Sequence, residues 1–141
     1  MLYASTSLAG AIGEAFGNLA EWSPRLFVTP AHPGGTRALA VYELEDRLLD
    51  PDDPKALLDR DLRPSRIVTR DRTVTQRWAL GIFEEGRWAG VSWWSFWNPA
   101  WASCGVWSID RLVLVGVEPL TDRLDAVHAA RETLARPWHP D

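Results

Sequence analysis

Cysteine is almost missing from this chain. A single one, Cys104, rules out an internal disulfide and a cysteine zinc cluster, which fits a reducing compartment; its expected role is that of a small buried hydrophobe. No apolar run reaches the roughly 18 residues of a membrane span, and the first residues carry neither a basic segment nor the apolar stretch of a signal peptide, so a cytoplasmic location is expected. Positive charge is also scarce: 15 Lys and Arg face 19 Asp and Glu, for a net charge of −4. The basic residues are scattered singly among acids, which makes direct nucleic-acid binding a poor expectation. The familiar catalytic signatures are absent too: GxGxxG, GxxxxGK[ST], HExxH and GxSxG do not occur, which removes the phosphate-cradling, metalloprotease and hydrolase-elbow classes. His32, His128 and His139 are isolated and expected to be solvated, so no metal centre is expected.

What is present is enough for one folded domain. The 141 residues are 46% apolar and 24% charged, far from the composition of disorder, and a chain this long buries roughly two thirds of its unfolded surface. From Ser5, the segment STSLAGAIGEAFGNLAEWSP sets Leu8, Ala11, Ile12, Ala15, Phe16, Leu19 and Trp22 on one face of an amphipathic helix. Ser7 is the expected N-cap, which accounts for the Ser5-Thr6-Ser7 triplet, and Pro24 the expected stop. Met1 to Ala4 leave almost no room for a preceding strand. Glu14 falls about 120° from the centre of the apolar face, at its edge, where a carboxylate leans toward a cleft or toward water.

Further along, ALAVYEL at 38–44 suggests a buried strand, 50–55 a turn or short-helix start, and 62–69 another strand around Ile67 and Val68. A helix is expected over 73–85, weakened by Gly81, and a last amphipathic helix over 121–135, after a β-rich stretch at 109–117. Elements of both kinds are interspersed without a βαβ rhythm, so the fold class is α+β, a single compact domain.

Six of the nine tryptophans fall in WAGVSWWSFWNPAWASCGVW, residues 88–107. Two strands, 91–96 and 103–107, are expected around a turn at Asn98-Pro99, with Trp93 and Ser95 on one face and Trp94 and Phe96 on the other. The strand alternation makes Trp88, Trp97, Trp101 and Trp107 scaffold rather than a sugar-binding platform, which would need exposed coplanar rings.

Two short patterns remain, Leu2-Tyr3 with Ala11-Ile12-Gly13-Glu14 and Gly90, Val91, Trp93 with Ser95, and together they resemble the RES domain, a toxin family named for its arginine, glutamate and serine. One is Leu2-Tyr3 followed, after a spacer, by Ala11-Ile12-Gly13-Glu14 on a helix. The other is the family's Gly, aliphatic, any, aromatic, any, Ser pattern, met by Gly90, Val91, Trp93 and Ser95, with a turn and an apolar strand behind it. The middle agrees more loosely, through ALAVYEL and a helix with Thr75, Gln76, Trp78 and Ala79. The family's arginine lies upstream of the Leu-Tyr pair, on a segment this sequence does not include; residues 1–141 therefore read as a RES-like domain lacking the usual N-terminal segment. Arg25, Arg37 and Arg66 match no arginine position of the family.

The resemblance implies a fold similar to that of ADP-ribosyltransferases, with a mixed or antiparallel sheet flanked by helices. It also implies NAD as substrate rather than cofactor, cleavage of its nicotinamide–ribose bond by hydrolysis or phosphorolysis, and a bacterial Xre-type antitoxin as protein partner. Under it Glu14 and Ser95 are the catalytic candidates, and Tyr3 and Trp93 the substrate-binding ones. The absent arginine would have gripped the pyrophosphate, so its loss should weaken substrate binding most. Two other classes stay open: an inactive RES-like module that only engages the antitoxin, and an unrelated aromatic-rich ligand-binding domain. Oligomeric state is left open.

Overall fold

Residues 1–140 are described by a computed structural model. The chain begins with a strand, β1 (Leu2–Ser5), against the expectation that there was no room for one. Four residues cannot declare themselves by pattern; β1 is made by its partner, since it pairs antiparallel with β5 (Ala102–Val106), about a hundred positions away in sequence. Next to β5 lies β4 (Gly90–Trp94), and beyond it the two-residue β3 (Leu48–Leu49), parallel to β4. The order β1-β5-β4-β3 is thus a mixed sheet.

Helix α1 (Leu8–Phe16) is capped by the Ser7 side chain, which accepts from the Gly10 amide at 3.1 Å. It stops at Gly17, well before Pro24, which instead opens a 3₁₀ turn at Pro24–Phe27. Asp53 and Asp71 cap α2 (Pro54–Leu58) and α4 (Arg72–Glu84) through their carboxylates. The expected strand at 62–69 is instead helix α3 (Pro64–Ile67): proline at the first helical position has its φ preset, and the single apolar anchor, Ile67, is buried from that turn.

ALAVYEL is a strand with the expected bounds, β2 (Ala38–Leu44), but it is not buried. It pairs only with β6 (Leu112–Pro119) in a separate two-stranded ribbon, bulged at Val41–Tyr42, that leaves Val41, Val113, Leu114, Val115 and Val117 exposed. An unbroken apolar run does not distinguish these cases. The β-rich stretch expected from 109 begins with a 3₁₀ turn at Ile109–Arg111, and the last helix, α5 (Leu124–Thr133), follows a 3₁₀ turn at Leu120–Arg123.

Two cores hold the molecule together. Ile12, Phe16 and Trp22 from the α1 region meet Trp101, Leu120, Val127 and Ala130, joining α1 to α5. Leu49, Ala56, Ile82 and Val91 form the second, rimmed by Trp78, Trp88, Trp93 and Trp107. Trp101 is buried, Trp97 packs on the first core and Trp88 and Trp107 on the second, so these four are scaffold. Ring pairs in the region meet edge to face, at 77° for Tyr3–Trp93 and 82° for Phe96–Trp97, unlike a coplanar platform. Cys104 is a buried free thiol on β5, where burial pushes its pKa up. Among the described residues no helix is long and apolar enough to cross a membrane.

Candidate active site

The site is set by how closely α1 can approach the strand hairpin. Gly10, Gly13 and Gly17 form a stripe one helical turn apart. A methyl group at Gly13 would overlap the Trp101 ring, and one at Gly17 would come within 2.6 Å of Trp97 Cε2. The tryptophans thus lie directly on the helix backbone, and Glu14, beside Gly13, is brought down to the hairpin.

There its Oε1 receives two hydroxyls: Ser95 Oγ donates at 2.5 Å and Ser103 Oγ at 3.1 Å. Glu14 is on an exposed position of α1, yet both serines are buried, at 3% and 4% exposure. A buried hydroxyl needs a partner, and here one carboxylate oxygen satisfies both. Charge assistance makes such bonds stronger than neutral ones. With Oε1 engaged twice, Oε2 has no partner among the described residues.

Ser95 is itself fixed by its neighbours. Its amide donates to the Trp101 carbonyl at 2.8 Å, closing the loop 95–101, while its Oγ accepts from the Trp97 amide at 3.1 Å. Within that loop Asn98 Oδ1 accepts from the Ala100 amide at 2.8 Å, the side-chain-to-backbone bond that suits Asn to a turn.

Tyr3 and Trp93 belong to the same face. The register aligns Ser5, Ser103 and Trp93 across three antiparallel strands, and Tyr3, Gly105 and Val91 one pleat further on. Direct cross-strand neighbours share a face, as do residues two apart, so Tyr3, Trp93 and Ser103 point the same way. The Tyr3 and Trp93 rings meet at 6.1 Å, Tyr3 being 66% exposed. Beside them a cavity of about 210 Å³ is walled by Met1, Ile67, Thr75, Gln76, Trp78, Ala79 and Val91. Neither Glu14 nor Ser95 lines this cavity, and neither lines the larger ones of about 490 Å³ around Arg60 and Trp88 and about 770 Å³ around Trp22 and Arg37.

All four residues singled out from sequence are therefore on one side of one sheet, in two contacting pairs, Glu14 with Ser95 and Tyr3 with Trp93. Ser103 was not singled out. A hairpin centred on Asn98 sets position 103 opposite 93, so its place beside Trp93 could have been counted from the turn alone. Of the arginines set aside, Arg37 stacks over Phe16 at 5.0 Å and donates to the Leu26 carbonyl at 3.2 Å, which commits it to the first core.

The family model for the RES domain matches residues 1–139. The chain belongs to the RES domain family. The matched range spans both short patterns. At family level it supports a toxin or NAD-related role. No curated protein and no solved structure matches the chain. The α+β architecture, with its mixed sheet and five α-helices among the described residues, is consistent with a RES domain.

Proposed function

We propose that this RES domain cleaves the bond between nicotinamide and ribose in NAD. The observation that carries the proposal is the meeting of Ser95 and Glu14, 81 positions apart in sequence, at 2.5 Å, the two residues the family patterns single out. In the cleavage the bond from C1′ to the nicotinamide nitrogen breaks and its electron pair moves to that nitrogen, cancelling its positive charge. Neutral nicotinamide then leaves without a proton donor, and the ribose becomes oxocarbenium-like. The main task is to stabilise that cation.

Glu14 suits it. Its Oε1 is held by two hydroxyls, so the carboxylate has a fixed direction, and Oε2 can face the ribose as charge develops. Fixing the carboxylate beforehand means little reorganisation is needed as the bond breaks. Water or phosphate then forms the new bond to C1′, and when water adds, its surplus proton passes to solvent. Tyr3 and Trp93 offer ring surface to the nicotinamide, and the adjoining cavity of about 210 Å³ is below the roughly 300–1,000 Å³ of pockets for drug-sized ligands, a size for one ring rather than a dinucleotide.

A protein partner of the Xre antitoxin type belongs to the same reading, with the cytoplasm as the place of action. The exposed apolar stripe of β6, with Val115 and Val117 each 57% exposed, favours a protein-covered surface. The deciding experiment incubates the purified, antitoxin-free protein with NAD, with and without phosphate. Nicotinamide release is expected, with free ADP-ribose as co-product if water attacks and a phosphorylated ADP-ribose if phosphate does. A folded protein that releases no nicotinamide under either condition rules the proposal out.

A further inference from the structure

Ser95 is followed by two aromatic residues that the chemistry above leaves unused, and a cation rests on them. The Arg70 guanidinium lies 4.3 Å from the centre of the Phe96 ring and 5.8 Å from that of Trp97. Arg70 comes from the loop between α3 and α4, the two helices that wall the cavity beside Tyr3 and Trp93. It therefore bridges that wall and the segment bearing Ser95.

Arg70 has no carboxylate partner among the described residues, a property it shares with Arg37, Arg47, Arg63, Arg66, Arg72, Arg77 and Arg136; what sets it apart is its place beside the Ser95 segment. Its neighbour Asp71 is occupied as the α4 cap, accepting from the Thr73 and Val74 amides. Flat stacking on an aromatic ring holds a guanidinium in place while its five N–H donors stay in plane, available to an anion. Phe96 lies under the Arg70 guanidinium and is 54% exposed, so the pair is open to solvent.

We propose that Arg70, shelved on Phe96, is an anion subsite that grips the diphosphate of the substrate, one residue along the chain from Ser95. This rests on the NAD-cleavage reading for its ligand. It supplies a bidentate phosphate contact from within the described chain, on a segment where neither family pattern has an arginine. The fork geometry of guanidinium suits a diphosphate, with two parallel N–H donors meeting two phosphate oxygens.

The test is calorimetric titration of the intact protein with inorganic pyrophosphate and, separately, with orthophosphate, at one fixed ionic strength. Arg70→Ala should weaken pyrophosphate binding about tenfold or more, as expected for loss of a charged hydrogen-bonding pair. Phe96→Ala, which keeps the charge and removes the shelf, should weaken it several-fold. Arg77→Ala, which removes an equal charge from the exposed side of α4, should stay within twofold. In NAD turnover Arg70→Ala should raise KM about tenfold and leave kcat within threefold, the signature of lost uniform binding. Equal effects of Arg70→Ala and Arg77→Ala, no measurable pyrophosphate binding by the parent protein, or a preference for orthophosphate would each overturn the proposal. If NAD is not cleaved, the pyrophosphate titration still decides the anion subsite, so the two failures are distinguishable.

Discussion

Two buried hydroxyls on a single oxygen of Glu14 fix the direction of the carboxylate and leave its other oxygen without a partner among the described residues. Glu14→Gln keeps the shape but removes the charge, so under the proposed function it should cut kcat at least about a hundredfold, on the scale of losing a dedicated electrostatic stabiliser, while the protein stays folded with a melting temperature lowered by only a few degrees through the weaker neutral bonds. Ser103 donates to the carboxylate, and under the proposed function it is a positioning residue. Ser103→Ala should lower kcat about tenfold with KM little changed, and Ser103→Thr, which restores a hydroxyl, should recover part of the loss. A purely structural serine would show a fall in stability and no such split. Glu14 was legible from sequence only as an edge position on α1, where cleft and water are equally open. What decided between them is a hairpin contributed by residues more than 80 positions downstream, which helical periodicity cannot reveal.

At the scale of elements, the glycines of α1 separate two opposed effects. Glycine inside a helix costs up to about 1 kcal/mol relative to alanine, so replacement should help wherever space allows. Gly81 in α4 has open space around it, and Gly81→Ala should raise stability by about 0.5–1 kcal/mol in denaturant titration. Gly13 faces the buried Trp101 ring, which leaves no space for a methyl. There overpacking wins, and Gly13→Ala should destabilise by about 1–3 kcal/mol and reduce turnover by shifting Glu14. A second inter-element bond is the Arg60–Glu85 clamp, two contacts of 2.6 Å joining the end of α2 to the end of α4. Arg60 is the main cause that holds the Glu85 carboxyl down to about 2. A lowered folded-state value means the stabilisation is complete above the ordinary value of 4.5 and fades as pH falls from there toward 2. Chemical denaturation across that range should show about 1–2 kcal/mol of acid-sensitive stability, allowing for solvent screening of a partly exposed pair, and Arg60→Ala should remove it. The Ser7 cap and the Asn-Pro turn were readable because they are local: Ser7 and Asn98 each bond within a few residues. β1 and the exposure of β2 were not, because both depend on what lies alongside.

In the whole molecule, the segment that follows α1 is interlocked with residues 136–139. The Trp22 amide donates to the Pro137 carbonyl at 3.0 Å, the His139 amide returns to the Trp22 carbonyl at 2.8 Å, and Arg136 donates to the Gly17 carbonyl at 2.7 Å. Trp22 itself has no exposure. Ending the chain after Ala135 should therefore uncover it and cost about 3 kcal/mol or more, seen as a lowered melting temperature together with lost turnover. The long-range pairing of β1 with β5 has a consequence for how the protein comes into being. A ribosome delivers β1 and α1 first, but β1 has no partner until β5 emerges, and α1 has no cover until α5 does. Domains rich in such distant contacts fold late and slowly. Glu14 thus waits for Ser95 and Ser103 through most of translation, so the cluster on which the proposed cleavage rests does not exist in a nascent chain until the hairpin has emerged.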